Sequence, residues 1–242
     1  MPNQLQHIYV IGLGAMGALY AFKLYDFDPS RIHIVLDEQR KQRYEHDGFW
    51  VNHKKYNFNY ITPEQCSDAP KADLIIIGVK ATQLHEAIEL SRAILQPQTR
   101  IISLLNGISS ETLIAERLGE HHPFYAYDVA MDATRQGTQV NYSKAGFLVF
   151  GEPNNETLSD DVKQVQQLFE QAQIPYQTPV DMRLAFWKKF MLNVATNQVT
   201  AILKIPYGEV KHNPDVQALL FSAAREVLNL SEAAKIGLTE QD

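Results

Sequence analysis

The stretch Ile8-Tyr9-Val10-Ile11-Gly12-Leu13-Gly14-Ala15-Met16-Gly17 decides the fold. Four apolar residues read as a short buried strand, and a G-x-G-x-x-G run comes directly after it. From Ala15 a helical pattern continues to residue 25. Strand, glycine turn and helix in this order are the context in which the motif binds a dinucleotide. Gly12 permits the tight turn, Gly14 lets the backbone approach a pyrophosphate, and Gly17 lets helix and strand pack closely. The start of the helix offers N–H groups and positive potential to phosphates. Gly12, Leu13, Gly14, Ala15, Met16 and Gly17 are therefore the candidate cofactor loop. A bare glycine pattern is also compatible with a structural turn; the position at the chain start and the βαβ continuation favour the dinucleotide.

Short β-rich runs alternate with helical ones through the first half, which predicts βαβ units around a parallel sheet. Strands are expected at 32–36, 73–79 and 100–105, and helices at 38–46, 83–95 and 110–118. Residues 49–61, rich in aromatics and Asn, fit an irregular or antiparallel excursion. Strand-like runs from 124 to 150, cut by Gly137 and Gly146, predict antiparallel strands that complete the sheet. Asn154, Asn155 and Ser159 open a helix through 172, and beyond Pro179 the pattern is wholly helical, at 181–203 and 215–235. The expected fold is α/β: an N-terminal Rossmann dinucleotide-binding domain, 1–178, then an all-helical C-terminal domain, 179–242. About 60 residues of helix bury little apolar surface by themselves. The helical part is thus expected to be shortened.

Composition narrows the function. The 242 residues are 45% hydrophobic and 21% charged, with net charge -6. No basic stripe is available to neutralise phosphates, which argues against nucleic acid. No run approaches the ~18 apolar residues of a membrane span. The polar start, Met1 to His7, lacks the basic and apolar parts of an export signal, so a cytoplasmic protein is expected. Cys66 is the single cysteine, so no internal disulfide forms; without a base nearby in sequence it reads as an incidental loop or helix-start residue. The histidines are scattered, and the adjacent His121-His122 pair cannot share one helix face as metal ligands do. No nucleophile elbow supports a Ser-His-Asp hydrolase.

Asp37 ends the second strand, 20 residues on from Gly17. An acid there accepts from ribose hydroxyls and repels a 2′-phosphate, favouring NAD over NADP; Asp is equally common as a helix N-cap. Arg40 and Lys41 come next and are able to hold a phosphate. Lys80 and Asn106 each succeed a core strand and project toward the crevice beyond the strand ends. Alone, each reads as a solvated lysine and an Asn-Gly turn. In the second half Lys189, Asn193 and Asn197 are spaced i, i+4, i+8 and form one polar row inside an apolar helix surface. Such a row needs partners or lines a wet cleft. A lysine ammonium protonates a carbonyl oxygen as hydride arrives and stabilises the developing alkoxide, while carboxamides hold a carboxylate or hydroxyls. A solvated stripe with a snorkelling lysine gives the same pattern.

Gly12-x-Gly14-x-x-Gly17, Val79-Lys80-Ala81, Asn106-Gly107, Trp187-Lys188-Lys189, Asn193-x-x-x-Asn197-x-x-Thr200-Ala201 and Gly208-Glu209 occur in one order. Together they resemble the ketopantoate reductase (2-dehydropantoate 2-reductase) family over essentially the whole chain. The resemblance implies reduction of 2-dehydropantoate to D-pantoate, toward pantothenate, with NADP as coenzyme and a homodimer as assembly. It implies Lys189 as general acid, Asn193 and Asn197 as substrate residues, and Lys80 and Asn106 as contacts to cofactor and substrate. Three departures stand out. The family commonly has arginine where this chain has Asp37, and Asn-Pro where this chain has Asn197-Gln198. Its serine and glutamate further along the helical domain have no counterpart here.

Asp37 keeps an NAD-dependent D-2-hydroxyacid dehydrogenase of branched or aromatic 2-oxo acids in contention, since fold and general acid would be unchanged. A non-catalytic dinucleotide sensor, or an inactive shortened chain, is the third alternative. A sensor has no use for the Lys189 row.

Overall fold

The computed structural model describes residues 4–119, 121 and 123–242. Met1 to Asn3, at the polar start, and His122 of the histidine pair lie outside the described residues.

The chain runs β1 (Ile8–Ile11), α1 (Ala15–Phe27), β2 (Ile32–Val35), α2 (Glu38–Asp47), β3 (Phe49–Val51), β4 (Lys54–Tyr56), β5 (Asn59–Ile61), β6 (Leu74–Ile77), α3 (Leu84–Ile94), β7 (Arg100–Ser103) and α4 (Ser110–Leu118). It continues through β8 (Tyr125–Val129), β9 (Thr134–Gln136), β10 (Gln139–Asn141), β11 (Phe147–Gly151), α5 (Asp160–Gln171) and β12 (Tyr176–Gln177). The helical end holds α6 (Met182–Leu192), a π-helical stretch (Asn193–Gln198), α7 (Val199–Leu203), a 3-10 turn (Tyr207–His212) and α8 (Pro214–Ala233).

The central sheet has the order β5-β2-β1-β6-β7, and its strand pairs are all parallel. Strands β1, β2, β6 and β7 are buried at every residue. Successive side chains point to opposite faces. Ile8, Val10, Ile32, Ile34, Leu74 and Ile76 therefore join the core on one face, while Tyr9, Ile11, Val35, Ile75 and Ile77 join the core on the other. Burial on both faces explains the unbroken apolar runs of β1 and β6, while β2 and β7 also bury the polar side chains His33, Arg100 and Ser103. The chain reverses its direction across the sheet between β1 and β6, and the crevice beyond their carboxyl ends is where such sheets bind ligands.

The structure corrects three local expectations. First, residues 49–61 are not one excursion. β3 and β4 form an antiparallel hairpin through Asn52 and His53, both at positive φ, but β5 pairs parallel with β2 and belongs to the central sheet. Second, the strands from 124 to 151 do not complete that sheet. β9 and β10 extend the β3–β4 hairpin, and β8, β11 and β12 form a third sheet. A single bridge, Ile102 to Phe124, joins that third sheet to β7. Third, the long helix after Pro179 widens into a π turn at Asn193–Gln198. The Thr196 hydroxyl donates to the Leu192 carbonyl, and the Thr200 hydroxyl donates to that of Thr196 at 2.6 Å. Hydroxyls that bond back onto a helix in this way compete with its own ladder and distort it.

Cys66 is buried at the end of a short 3-10 turn, where its thiol donates to the Thr62 carbonyl at 3.4 Å. Among the described residues, no helix is long and apolar enough to cross a membrane, and no group of three His, Cys, Asp or Glu side chains is placed to hold a metal.

Candidate functional site

The glycine loop is built by contact. Gly12 sits at φ 96°, and a Cβ there would lie 2.9 Å from the Gly78 carbonyl oxygen. That backbone conformation and that closeness both demand glycine. A Cβ on Gly17 would lie 2.1 Å from the carbonyl oxygen of Gly12, so α1 rests directly on the turn that precedes it. Gly78, at the end of β6, closes the arrangement, since its own Cβ would lie 2.9 Å from Cα of Gly17. Sequence reasoning passed over Gly78; its glycine is required by a neighbour 61 positions away, with no local signal.

No side chain caps the start of α1, where Gly14 is the N-cap, and its first turn carries no acid. The amide groups there are left to meet an anion, and no carboxylate opposes it. A dinucleotide pyrophosphate fits this cradle: glycines allow the backbone to approach, and the helix supplies donors.

Asp37 caps α2. Its Oδ1 accepts from the Arg40 backbone N–H at 2.7 Å, and its Oδ2 pairs with the Arg40 guanidinium at 3.2 Å. Both oxygens are therefore engaged, although the residue stays half-exposed. Lys80 is exposed, begins the 3-10 turn after β6 and lends its carbonyl to the Gln83 N–H at 2.8 Å.

Lys189, Asn193, Asn197 and Asn106 meet around one cavity of about 430 Å³, and Met16 of the glycine loop lines it too. Lys80 does not line it. The carboxamides form a chain: Tyr207 O–H donates to Asn197 Oδ1 at 2.5 Å, Asn197 Nδ2 to Asn193 Oδ1 at 3.2 Å, and Asn193 Nδ2 to Asn106 Oδ1 at 3.2 Å. The last bond ties the helical end to the loop after β7. The i, i+4 spacing of Asn193 and Asn197 survives the π turn, because the two amides still touch.

Lys189 stands in the last turn of α6, half-buried. Burial pulls its ammonium below the ordinary lysine value, and the charge of Asp128 opposes that pull. Asp128 shares the cavity and accepts a hydrogen bond from the Tyr20 hydroxyl. Burial pushes its carboxyl up to about 7, while Tyr20 and Lys189 hold it down. Tyr20, Asp128 and Tyr207 were not singled out in the sequence. Tyr20 and Asp128 sit on unrelated elements, and only the fold brings them together and Asp128 to the cavity of Lys189.

A half-buried lysine and a chain of carboxamides stand beside the glycine loop, donors of the kind that could serve a carbonyl group. Residues 8–155 match the family model described as ketopantoate reductase PanE/ApbA, and residues 181–242 match that of its C-terminal part. A 2-dehydropantoate 2-reductase of Nostoc sp. is 24% identical over 225 residues, which is 90% of this chain and 70% of that protein. A PanE/ApbA family ketopantoate reductase structure from Ralstonia eutropha JMP134 superposes with TM-score 0.77 at 24% identity, covering 97% of this chain and 76% of that one. The ternary structure of D-mandelate dehydrogenase with NADH and anilino(oxo)acetate superposes with TM-score 0.81 at 17% identity, covering 96% and 75%. The fold is thus shared across two substrate classes, while the two family models between them span the glycine loop and the Lys189 row; the chain belongs to the ketopantoate reductase PanE/ApbA family of oxidoreductases.

Proposed function

We propose that this protein reduces a small 2-oxo acid to its 2-hydroxy acid with a nicotinamide dinucleotide, 2-dehydropantoate being the first substrate to test. The observation that carries this is the shared cavity: Lys189, Asn193, Asn197 and Asn106 line it together with Met16 of the glycine loop. The coenzyme, when bound, supplies the hydride. Its pyrophosphate would lie on the amides at the start of α1, and Asn106, Lys80 and Asp37 would meet its other parts.

Lys189 acts as the general acid. Its ammonium donates a proton to the carbonyl oxygen as charge develops there, and the half-buried setting strengthens that interaction. Asn193 and Asn197 hold the substrate carboxylate and hydroxyls through their amide N–H groups. Their mutual bonds preset the geometry, so less order is lost on binding. In this proposal the dinucleotide domain ends at 178 and the substrate domain begins at 179.

The coenzyme choice rests on Asp37. The resemblance implies NADP, whereas an acid at the end of β2 favours NAD. This residue also supports a second reading, an NAD-dependent D-2-hydroxyacid dehydrogenase of branched or aromatic 2-oxo acids, in line with the fold shared with D-mandelate dehydrogenase.

The test monitors nicotinamide absorbance with ketopantoate and with a branched 2-oxo acid, each against NADH and NADPH. Turnover favouring ketopantoate with NADPH supports the first reading and leaves Asp37 as a cap. Preference for NADH with the branched acid moves the protein to the second. In either case Lys189→Ala should remove most turnover and leave dinucleotide binding nearly intact. Equal loss of both sinks the assigned role.

A further inference from the structure

Asp128 has no part in the reaction as written. It lies in β8 opposite Leu148 of β11 and lines the same cavity as Lys189, Asn106 and Asn193. The Tyr20 hydroxyl, on the helix of the glycine loop, donates to its Oδ1, and Tyr20 is itself only 2% exposed. A 2-oxo acid is an anion, so an acidic residue in its cavity opposes binding. A carboxylate fixed there by a buried tyrosine needs a compensating task.

Lys189 supplies one. Around it, Asp128 and Tyr207 line the cavity, with Tyr20 bonded to Asp128, and Tyr127, Lys188, Arg225, Glu240 and Asp242 line the groove on its other side. Lys188 and Asp242 pair with each other. Of these groups, Asp128 is the one whose charge favours the Lys189 ammonium. Among the described residues the two form no ion pair within 4 Å. The carboxylate therefore acts across the cavity without occupying the ammonium's hydrogen-bond donors.

We propose that Asp128, held by Tyr20, is a positioning residue for Lys189: its carboxylate keeps the ammonium charged and turned into the cavity, ready to donate. The proposal rests on Lys189 being the general acid. During reduction the Lys189 proton passes to the carbonyl oxygen, the amine is left neutral, and water returns the proton afterwards; Asp128 stays outside the transfer. Burial alone favours the neutral amine, which has no proton to give. A nearby negative charge opposes that preference. It does so most where the lysine would otherwise deprotonate, on the alkaline side, and there Asp128 is ionised.

The experiment reads Lys189 directly. Protein labelled with carbon-13 at lysine Cε is titrated by NMR, with the Lys189 signal identified by its loss in Lys189→Ala. In Asp128→Asn the Lys189 titration should move to lower pH. The alkaline limb of kcat/KM should move the same way, so that activity at pH 9 relative to pH 7 falls several-fold. Asp128→Glu should restore the limb, and Tyr20→Phe should give a smaller shift in the same direction.

An unmoved Lys189 titration in Asp128→Asn, with kcat/KM reduced evenly at all pH, overturns the proposal and leaves Asp128 structural. Should that variant fail to fold, Tyr20→Phe decides, and an unmoved titration there overturns the proposal too. Retained turnover in Lys189→Ala defeats the general-acid reading instead. The NMR shift still reports separately whether Asp128 controls the lysine.

Discussion

The Arg135 guanidinium donates to the backbone carbonyl of Leu13, in the middle of the glycine loop, from 122 positions further along the chain. The same group donates to the Tyr44 hydroxyl at 2.6 Å and to the Gly137 carbonyl at 2.9 Å. One side chain on β9 thereby ties the loop to α2 and to the second sheet. Charge-assisted hydrogen bonds of this kind are worth about 1.5–3 kcal/mol each. Arg135→Ala should release the loop and weaken dinucleotide binding by roughly tenfold, about 1.4 kcal/mol. Arg135→Lys, which has no fork to span three acceptors, should recover little of the loss. Titration of nicotinamide fluorescence checks both, and unchanged affinity in the alanine variant removes Arg135 from the cofactor site.

Gly17→Ala sets a methyl group 2.1 Å from the Gly12 carbonyl oxygen. The obstacle is backbone, so α1 must lift from β1 and β6 rather than a side chain turn aside. Overpacking of this sort costs about 1–3 kcal/mol. A lower Tm together with loss of dinucleotide binding is expected, by thermal unfolding with and without NADPH. If the dinucleotide still raised the Tm of the variant as much as that of the parent protein, the close contact would not matter to the cofactor.

Much of the fold is legible in the sequence because it is written locally. β1, β2, β6 and β7 are buried at every residue; β1 and β6 read as unbroken apolar runs, β2 and β7 as mainly apolar ones broken by His33 and bounded by Arg100 and Ser103, and the glycine motif directly follows the first of them. Lys189, Asn193 and Asn197 share a helical face, and spacing alone predicts that they meet. The features that escape such a reading depend on partners distant in the chain. β5 joins the central sheet through β2, although Asn59-Tyr60-Ile61 resembles the hairpin before it. The π turn goes with two threonine hydroxyls that bond back onto the helix, a choice that helical spacing does not announce. Gly78 is glycine because Gly17 lies against it, and Asp128 looks like an ordinary polar strand residue until Tyr20 is placed beside it.

Glu111 predicts a pH dependence of stability. It is 4% exposed; its Oε2 accepts from the Ser110 hydroxyl at 2.9 Å, and its Oε1 has no partner among the described residues. Burial pushes the carboxyl from 4.5 up to about 7. Between those values the folded chain holds a proton that the unfolded chain has lost. Glu111 therefore favours folding most below pH 4.5, and that advantage fades as pH rises through about 7 and is gone above it. Asp128, also raised to about 7, adds to the slope in the same window. Glu111→Gln keeps the neutral form at every pH. It should stabilise the fold by on the order of 2–3 kcal/mol at pH 8 and change little near pH 4.5. Thermal unfolding at the two pH values tests this, and an equal effect at both would point to packing rather than ionisation.

Asn193 stands at the centre of the amide chain, accepting from Asn197 and donating to Asn106, each at 3.2 Å. Asn193→Asp keeps the shape but replaces the donating amide with a carboxylate. An ionised oxygen then faces the Asn106 Oδ1, so the Asn106 amide must turn over and donate if the bond between the helical end and the loop after β7 is to persist. The same charge meets the carboxylate of a 2-oxo acid in a cavity of about 430 Å³. KM for the oxo acid should rise at least tenfold, about 1.4 kcal/mol or more, and coenzyme affinity should stay within about twofold. Asn193→Ala removes the bond without adding charge, so its KM should rise less. The difference between the two variants isolates repulsion of the substrate anion from loss of the bridge. Equal KM values in both would mean that the substrate carboxylate lies elsewhere in the cavity, and that Asn193 serves only to join the two halves.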